Sequence, residues 1–187
     1  MPQSHAQPTA MRHLVASLLI LALGFTQAWA TPQPTVQEDL PHTVSQVVTG
    51  ILSYSRWPTD NDHKQLCVLG ATEFSSHLLS NTDTLPGWTP GVISIDLTEA
   101  ALDQCHALYS GQLSDDSQQT LRQLVQGRAL LTINENDPLC AIGSMFCLQI
   151  SHSKVAFKIN LDAVQRSGIQ VHPAVLKLGM STGARHD

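Results

Sequence analysis

The sequence predicts an α/β domain: a mostly parallel sheet flanked by helices in a Rossmann-like three-layer arrangement, with a C-terminal antiparallel hairpin. Three observations carry this expectation. Short apolar runs alternate with helix-period segments, strand then helix, from residue 40 to residue 133, the order of a parallel sheet with helical crossovers. After Ile133 the alternation stops, and Phe146-Cys147-Leu148-Gln149-Ile150 faces Val155-Ala156-Phe157-Lys158-Ile159 across polar Ser151 to Lys154, the pattern of a hairpin at a sheet edge. Finally, Thr31 to Asp187 is a length that fits one domain with its own core.

Along the chain, Leu40, Val44, Val47, Val48, Ile51, Leu52 and Tyr54 recur at three- and four-residue spacing, an amphipathic helix with one buried stripe, limited by Pro58. Leu66-Cys67-Val68-Leu69-Gly70 reads as a buried strand. Thr72 is placed as the N-cap of a helix carrying Leu78 and Leu79. Pro86 and Pro90 break the chain before a second strand, Val92 to Leu97. Cys105 to Tyr109 is the third strand. Asp115 to Gln126 is a helix with Leu121, Leu124 and Val125 inward and Gly127 as its stop. Ala129 to Ile133 is the fourth strand, and helices from Leu161 to Arg166 and near Ala174 to Leu178 close a domain spanning 40–180.

Before this domain, Arg12 and His13, an apolar run from Leu14 to Phe25 and the small residues Ala28 and Ala30 form a cleaved secretory signal over 1–30. Met11 is an alternative start. The run is too short to span a bilayer comfortably. A flexible lead-in over 31–39 follows it, and 181–187 is expected to be a disordered tail. Removing the signal's one arginine leaves nine Lys and Arg against fifteen Asp and Glu, a net charge of −6. With no clustered basic face, nucleic acid binding is excluded as a main function. No cysteine follows the cut to take a lipid, so a soluble exported protein is expected.

All four cysteines, Cys67, Cys105, Cys140 and Cys147, lie in this exported part, where thiols are expected to pair. Four cysteines permit three pairings. Strand placement favours Cys67 with Cys105, both at strands of one sheet, and Cys140 with Cys147, which flank a short loop. The longer bridge is expected to staple the core, and the shorter one to clasp a surface loop that is more open to reduction. A zinc site is not expected, because the cysteines lack close pairs and the histidines, including 42, 63, 77, 106, 152, 172 and 186, are dispersed. His106 is expected to be a hydrogen-bonded core residue.

Catalytic motifs are absent from the sequence: there is no G-x-S-x-G elbow and no His-Glu-x-x-His helix. Gly70-Ala71-Thr72 lies between a strand and a helix, where anions bind in some folds, yet lacks a phosphate loop's further glycines and lysine. It reads as a tight turn. Asp115, Asp116 and Asp137 read as solvated acids. Neither an enzyme nor a cofactor is expected. Tyr54-Ser55-Arg56-Trp57-Pro58 offers a cation and an aromatic face, and Val171-His172-Pro173 a histidine. Tyr54, Arg56, Trp57 and His172 are therefore the candidate ligand or partner contacts.

These segments resemble the YfiR family of small periplasmic proteins. The resemblance rests on Gly50 to Pro58, Leu66 to Gly70, Gly143-Ser144-Met145-Phe146-Cys147, Asn160 to Ala163 and Ser167 to Pro173, in that order with four cysteines. It implies a dimeric repressor that binds the periplasmic sensor part of an inner-membrane diguanylate cyclase. It also implies an outer-membrane peptidoglycan-associated lipoprotein that sequesters the repressor under envelope stress, releasing cyclic di-GMP synthesis and biofilm growth. In the family the two bridges pair in the order inferred above. Where relatives can carry a basic residue before Val-His-Pro, this chain has Gln170. The helix from Leu40 toward Trp57 is the candidate contact surface for a second copy or a partner, and a small-ligand binding module is the alternative function.

Overall fold

The computed structural model describes residues 40–59, 63–80, 87–140, 143–152 and 154–181. The expected signal and lead-in, Pro86 and most of the expected tail lie outside the described residues. Helix α1 runs over Leu40–Ser53, strand β1 over Ser55–Arg56, β2 over Lys64–Leu69, α2 over Ser76–Ser80 and β3 over Trp88–Ile95. Then come α3 (Glu99–Asp103), β4 (Ala107–Ser110), α4 (Asp115–Val125), β5 (Leu131–Asn134), β6 (Phe146–Ser151) and β7 (Lys154–Ile159). The last elements are α5 (Leu161–Ser167), β8 (Gln170–Val171), a 3-10 turn over Pro173–Val175 and α6 (Leu176–Ser181). Ser181, expected in the tail, belongs to α6.

Six strands form the main sheet in the order β3-β2-β4-β5-β6-β7, and only the β6–β7 pair is antiparallel. The expected fold is thus present, hairpin included. Strand alternation divides the core into two layers. Leu66, Val68, Ala107, Tyr109, Leu131 and Ile133 face one side with the stripe of α1, Ala163 of α5 and Val175. Cys67, Leu69 and Leu108 face the other with Leu102 of α3 and Leu121 of α4. Among the described residues, no helix is long and apolar enough to cross a membrane.

Several local expectations are corrected. Helix α1 ends at Ser53, well before Pro58, because its last carbonyls are already taken. The Ser53 hydroxyl donates to Gly50 O, the Ser55 hydroxyl to Ile51 O, and Arg56 Nη1 to Ser53 O, each at 2.8 Å. Its apolar stripe is consumed by the core, with Val44, Val48 and Ile51 fully buried, so that stripe is not the contact surface expected from the sequence. Thr72 is not an N-cap: α2 starts at Ser76, and the Thr72 hydroxyl instead meets that of Ser75 at 2.5 Å. Pro90 lies inside β3 rather than before it. That strand pairs with β2 alone, and an edge strand tolerates a residue without an N–H. His106 and Cys105 precede β4, which begins at Ala107.

The antiparallel β1–β8 ribbon, with Ser55 opposite Val171 and Arg56 opposite Gln170, was not expected. It ties the end of α1 to the C-terminal segment. Gly168 permits the return by adopting φ 72° at the end of α5, a left-handed cap that favours glycine.

Candidate functional site

The β1–β8 ribbon gathers three of the four candidate contacts. Ser53, Tyr54, Arg56, Gln170, His172 and Pro173 line a cavity of about 460 Å³ together with Val171. The Tyr54 and His172 rings stack at 6.0 Å between centroids, and the backbone N–H of His172 donates to Tyr54 O at 2.9 Å. His172 Nδ1 accepts the Ala174 N–H at 3.1 Å, which leaves Nε2 to carry the proton of the neutral ring. Arg56 is exposed and directs its guanidinium to the carbonyls of Ser53 and Ser55. Because Gln170 stands opposite Arg56, the two positions that could carry a cation pair hold one permanent charge.

Trp57 does not join this cavity. Its Nε1–H donates to His106 O at 3.0 Å, its ring meets Trp88 edge-on at 5.5 Å, and Lys64 Nζ lies 5.9 Å from its centroid. The expected Arg56–Trp57 pairing of cation and aromatic face is therefore split across two sides of the chain, as adjacent residues of an extended segment must be. His106 is half-buried rather than a core residue. Its Nδ1 accepts the Gln65 N–H at 3.1 Å, and burial, then the Lys64 charge, holds the imidazole below its ordinary pKa.

In an open α/β sheet, ligands settle at the carboxyl ends of the strands, where the strand order reverses. Here that point lies between β2 and β4, because β2 leads outward to β3 and the chain then returns to β4. The crevice is closed by backbone. Gly111 N donates to Leu69 O at 3.1 Å and Gln112 N to Ala71 O at 2.8 Å, forming a bridge between Ala71 and Gln112. Approach is so close that a Cβ on Gly111 would stand 1.9 Å from Ala71 O.

Beside it, the amides that an anion would use are taken internally. Glu135, just past β5, accepts the N–H of Glu73 at 2.5 Å through Oε1 and that of Phe74 at 3.2 Å through Oε2. Tyr109, fully buried in β4, donates its hydroxyl to the same Oε2. Burial, then the Glu135 charge and this hydrogen bond, raises the Tyr109 pKa far above its ordinary value. The tight turn expected at Gly70-Ala71-Thr72 thus leads into amides that hold the protein's own carboxylate. What remains nearby is a cavity of about 320 Å³ lined by Glu73, Glu135 and His152 among others, an acidic lining unsuited to phosphate.

Both expected bridges are formed. Cys67 joins Cys105 with Cα atoms 5.8 Å apart, and Cys140 joins Cys147 at 5.4 Å. The first lies within the layer under α3 and α4. The second is only half a surface feature, because Cys147 is fully buried in β6 while Cys140 is partly exposed. Asp137, expected to be solvated, is buried beside it at 4 % exposure.

Glu135 and the arginines 122 and 166 have no place among the candidate site residues read from the sequence, and Asp137 reads there as a solvated acid although it is buried. The two arginines line a further cavity of about 270 Å³ floored by Val125, Leu130 and Met145. No local pattern marks such residues, since their neighbours come from distant segments.

The fold and site together define a two-disulfide, three-layer α/β domain whose strand-end crevice is filled by its own groups. Residues 42–180 match the YfiR/HmsC-like family. The chain belongs to that family, whose members are known as periplasmic regulators rather than catalysts.

Proposed function

We propose that this protein is a periplasmic repressor: it binds the periplasmic sensor region of an inner-membrane diguanylate cyclase and holds that enzyme off. The observation that carries this reading is family membership across residues 42–180. Support comes from the self-filled crevice between β2 and β4, where Glu135 occupies the amides a substrate anion would need, and from the lack of a catalytic motif in the sequence. In the same reading the protein acts as a dimer, and an outer-membrane peptidoglycan-associated lipoprotein withdraws it from the cyclase under envelope stress. Since the stripe of α1 is buried, the partner surface is assigned to apolar residues left outside. Leu139, 79 % exposed and adjacent to Cys140, links such a surface to the short bridge. Affinity capture from detergent-solubilised membranes tests this. Recovery of a membrane protein with a cytoplasmic cyclase domain is expected, and its absence under conditions where the protein is folded and dimeric would count against the reading.

A second reading, a small-ligand binding module, is favoured by the cavity at Tyr54, Arg56 and His172. Thermal-shift screening with small anionic and aromatic compounds tests it. A stabilising compound whose effect disappears in Arg56→Ala would support it; no shift with any compound would remove it.

A further inference from the structure

We infer that opening the Cys140–Cys147 bridge creates a binding site for a zinc-type divalent ion, held by both thiolates and the Asp137 carboxylate. One ligand atom from each of the three residues lies within 4.8 Å of the others, and Asp137 Oδ2 is 3.9 Å from Cys147 Sγ. While the bridge is closed the sulfurs are bonded to each other and the site does not exist. Reduction by a dithiol or a phosphine supplies two electrons and yields two thiols. Zn²⁺ then displaces the two thiol protons and forms two Zn–S bonds.

The backbone keeps the three groups gathered without the S–S bond. The Cys140 N–H donates to Asp137 O at 3.0 Å, closing a turn that carries both residues. Pro138 O, within that turn, accepts from Lys158 Nζ at 2.8 Å and Gln149 Nε2 at 3.2 Å, tying it to the β6–β7 hairpin. Cys147 sits inside β6, opposite Lys158 on β7 and Asn134 on β5. Reduction therefore leaves two sulfurs beside a buried carboxylate, and converging anions in a poorly solvated place favour a bound cation.

The donor set selects the ion class. Two thiolates with one carboxylate suit Zn²⁺, at about 2.3 Å to sulfur and about 2.0–2.2 Å to oxygen. The sulfurs need only part to nonbonded separation. Ser144 O, 3.9 Å from each sulfur, or a water can complete a tetrahedron. Cys147 and Asp137 form the dry side, while partly exposed Cys140 leaves an approach from solvent.

Cobalt(II) is the probe, added to the full chain with and without a phosphine reductant. Thiolate-to-cobalt charge-transfer absorption saturating at one equivalent is expected only after reduction, with loss of the signal on adding zinc. Cys140→Ser with Cys147→Ser should abolish it, and Asp137→Asn should weaken binding about tenfold or more. No absorption in the reduced chain would overturn the inference. So would absorption that persists in the double serine variant, which places the ion at Cys67 and Cys105, or binding undiminished in Asp137→Asn. A second measurement needs no variant: zinc should slow alkylation of reduced Cys140 and Cys147 selectively, as mapped by peptide mass spectrometry. Equal alkylation with and without zinc would refute the site.

Discussion

Glu135 anchors three donors drawn from two other segments: the amides of Glu73 and Phe74 and the hydroxyl of Tyr109. Replacing it with alanine leaves the buried Tyr109 hydroxyl without its acceptor, so Glu135→Ala should cost about 2 kcal/mol in denaturant unfolding. Tyr109→Phe, which removes the donor and its polar burial together, should cost less. His106 provides a pH signature. Its pKa is depressed in the folded state by burial and by Lys64, so its contribution is fully present above the unfolded value of about 6.5 and is lost as pH falls through the folded value. The melting temperature should therefore decline on acidification below about pH 6.5, and less steeply in His106→Gln. An identical slope in both proteins would show that His106 carries none of the dependence. The hydrogen bonding of His106 was legible in the sequence, though not its partial exposure; the role of Glu135 was not. A glutamate after a strand has no local signature, and its partners lie 26, 61 and 62 positions away.

At the scale of elements, the two bridges are expected to differ. Chain-entropy reasoning gives about 4 kcal/mol for the loop closed by Cys67–Cys105 and about 2.5 kcal/mol for that closed by Cys140–Cys147. Serine replacement of the first pair should therefore lower stability more than replacement of the second; equal losses would contradict the division between staple and clasp. Gly111→Ala drives a methyl into Ala71 O and should cost about 3 kcal/mol by parting the Ala71–Gln112 bridge. The long-period elements were legible: α1 from its valine and isoleucine spacing, β2 from Leu66 to Leu69, and the hairpin from its polar centre. Those missed were the short ones. Residues 99–103 are too few to show a helical period, and the two-residue strands β1 and β8 have no pattern of their own. Where α1 ends was set by hydroxyl and guanidinium groups capping its carbonyls, which outweighed the nearest proline.

For the whole molecule, the match over residues 42–180 places the chain in a family of regulators, and the plugged crevice supports the proposed binding role. The candidate site was partly legible: Tyr54, Arg56 and His172 share a cavity, while Trp57 belongs elsewhere because adjacent residues of an extended segment face apart. Exposed Leu139 offers a direct probe of the proposed partner surface. Leu139→Asp should leave the melting temperature nearly unchanged and weaken capture of the cyclase about tenfold or more. The most direct measurement is cellular cyclic di-GMP in a strain lacking this protein and in the same strain complemented with it. Cyclic di-GMP is expected to rise on deletion and to fall back when the intact chain is restored. A cyclic di-GMP level unchanged by deletion would contradict the proposed repression.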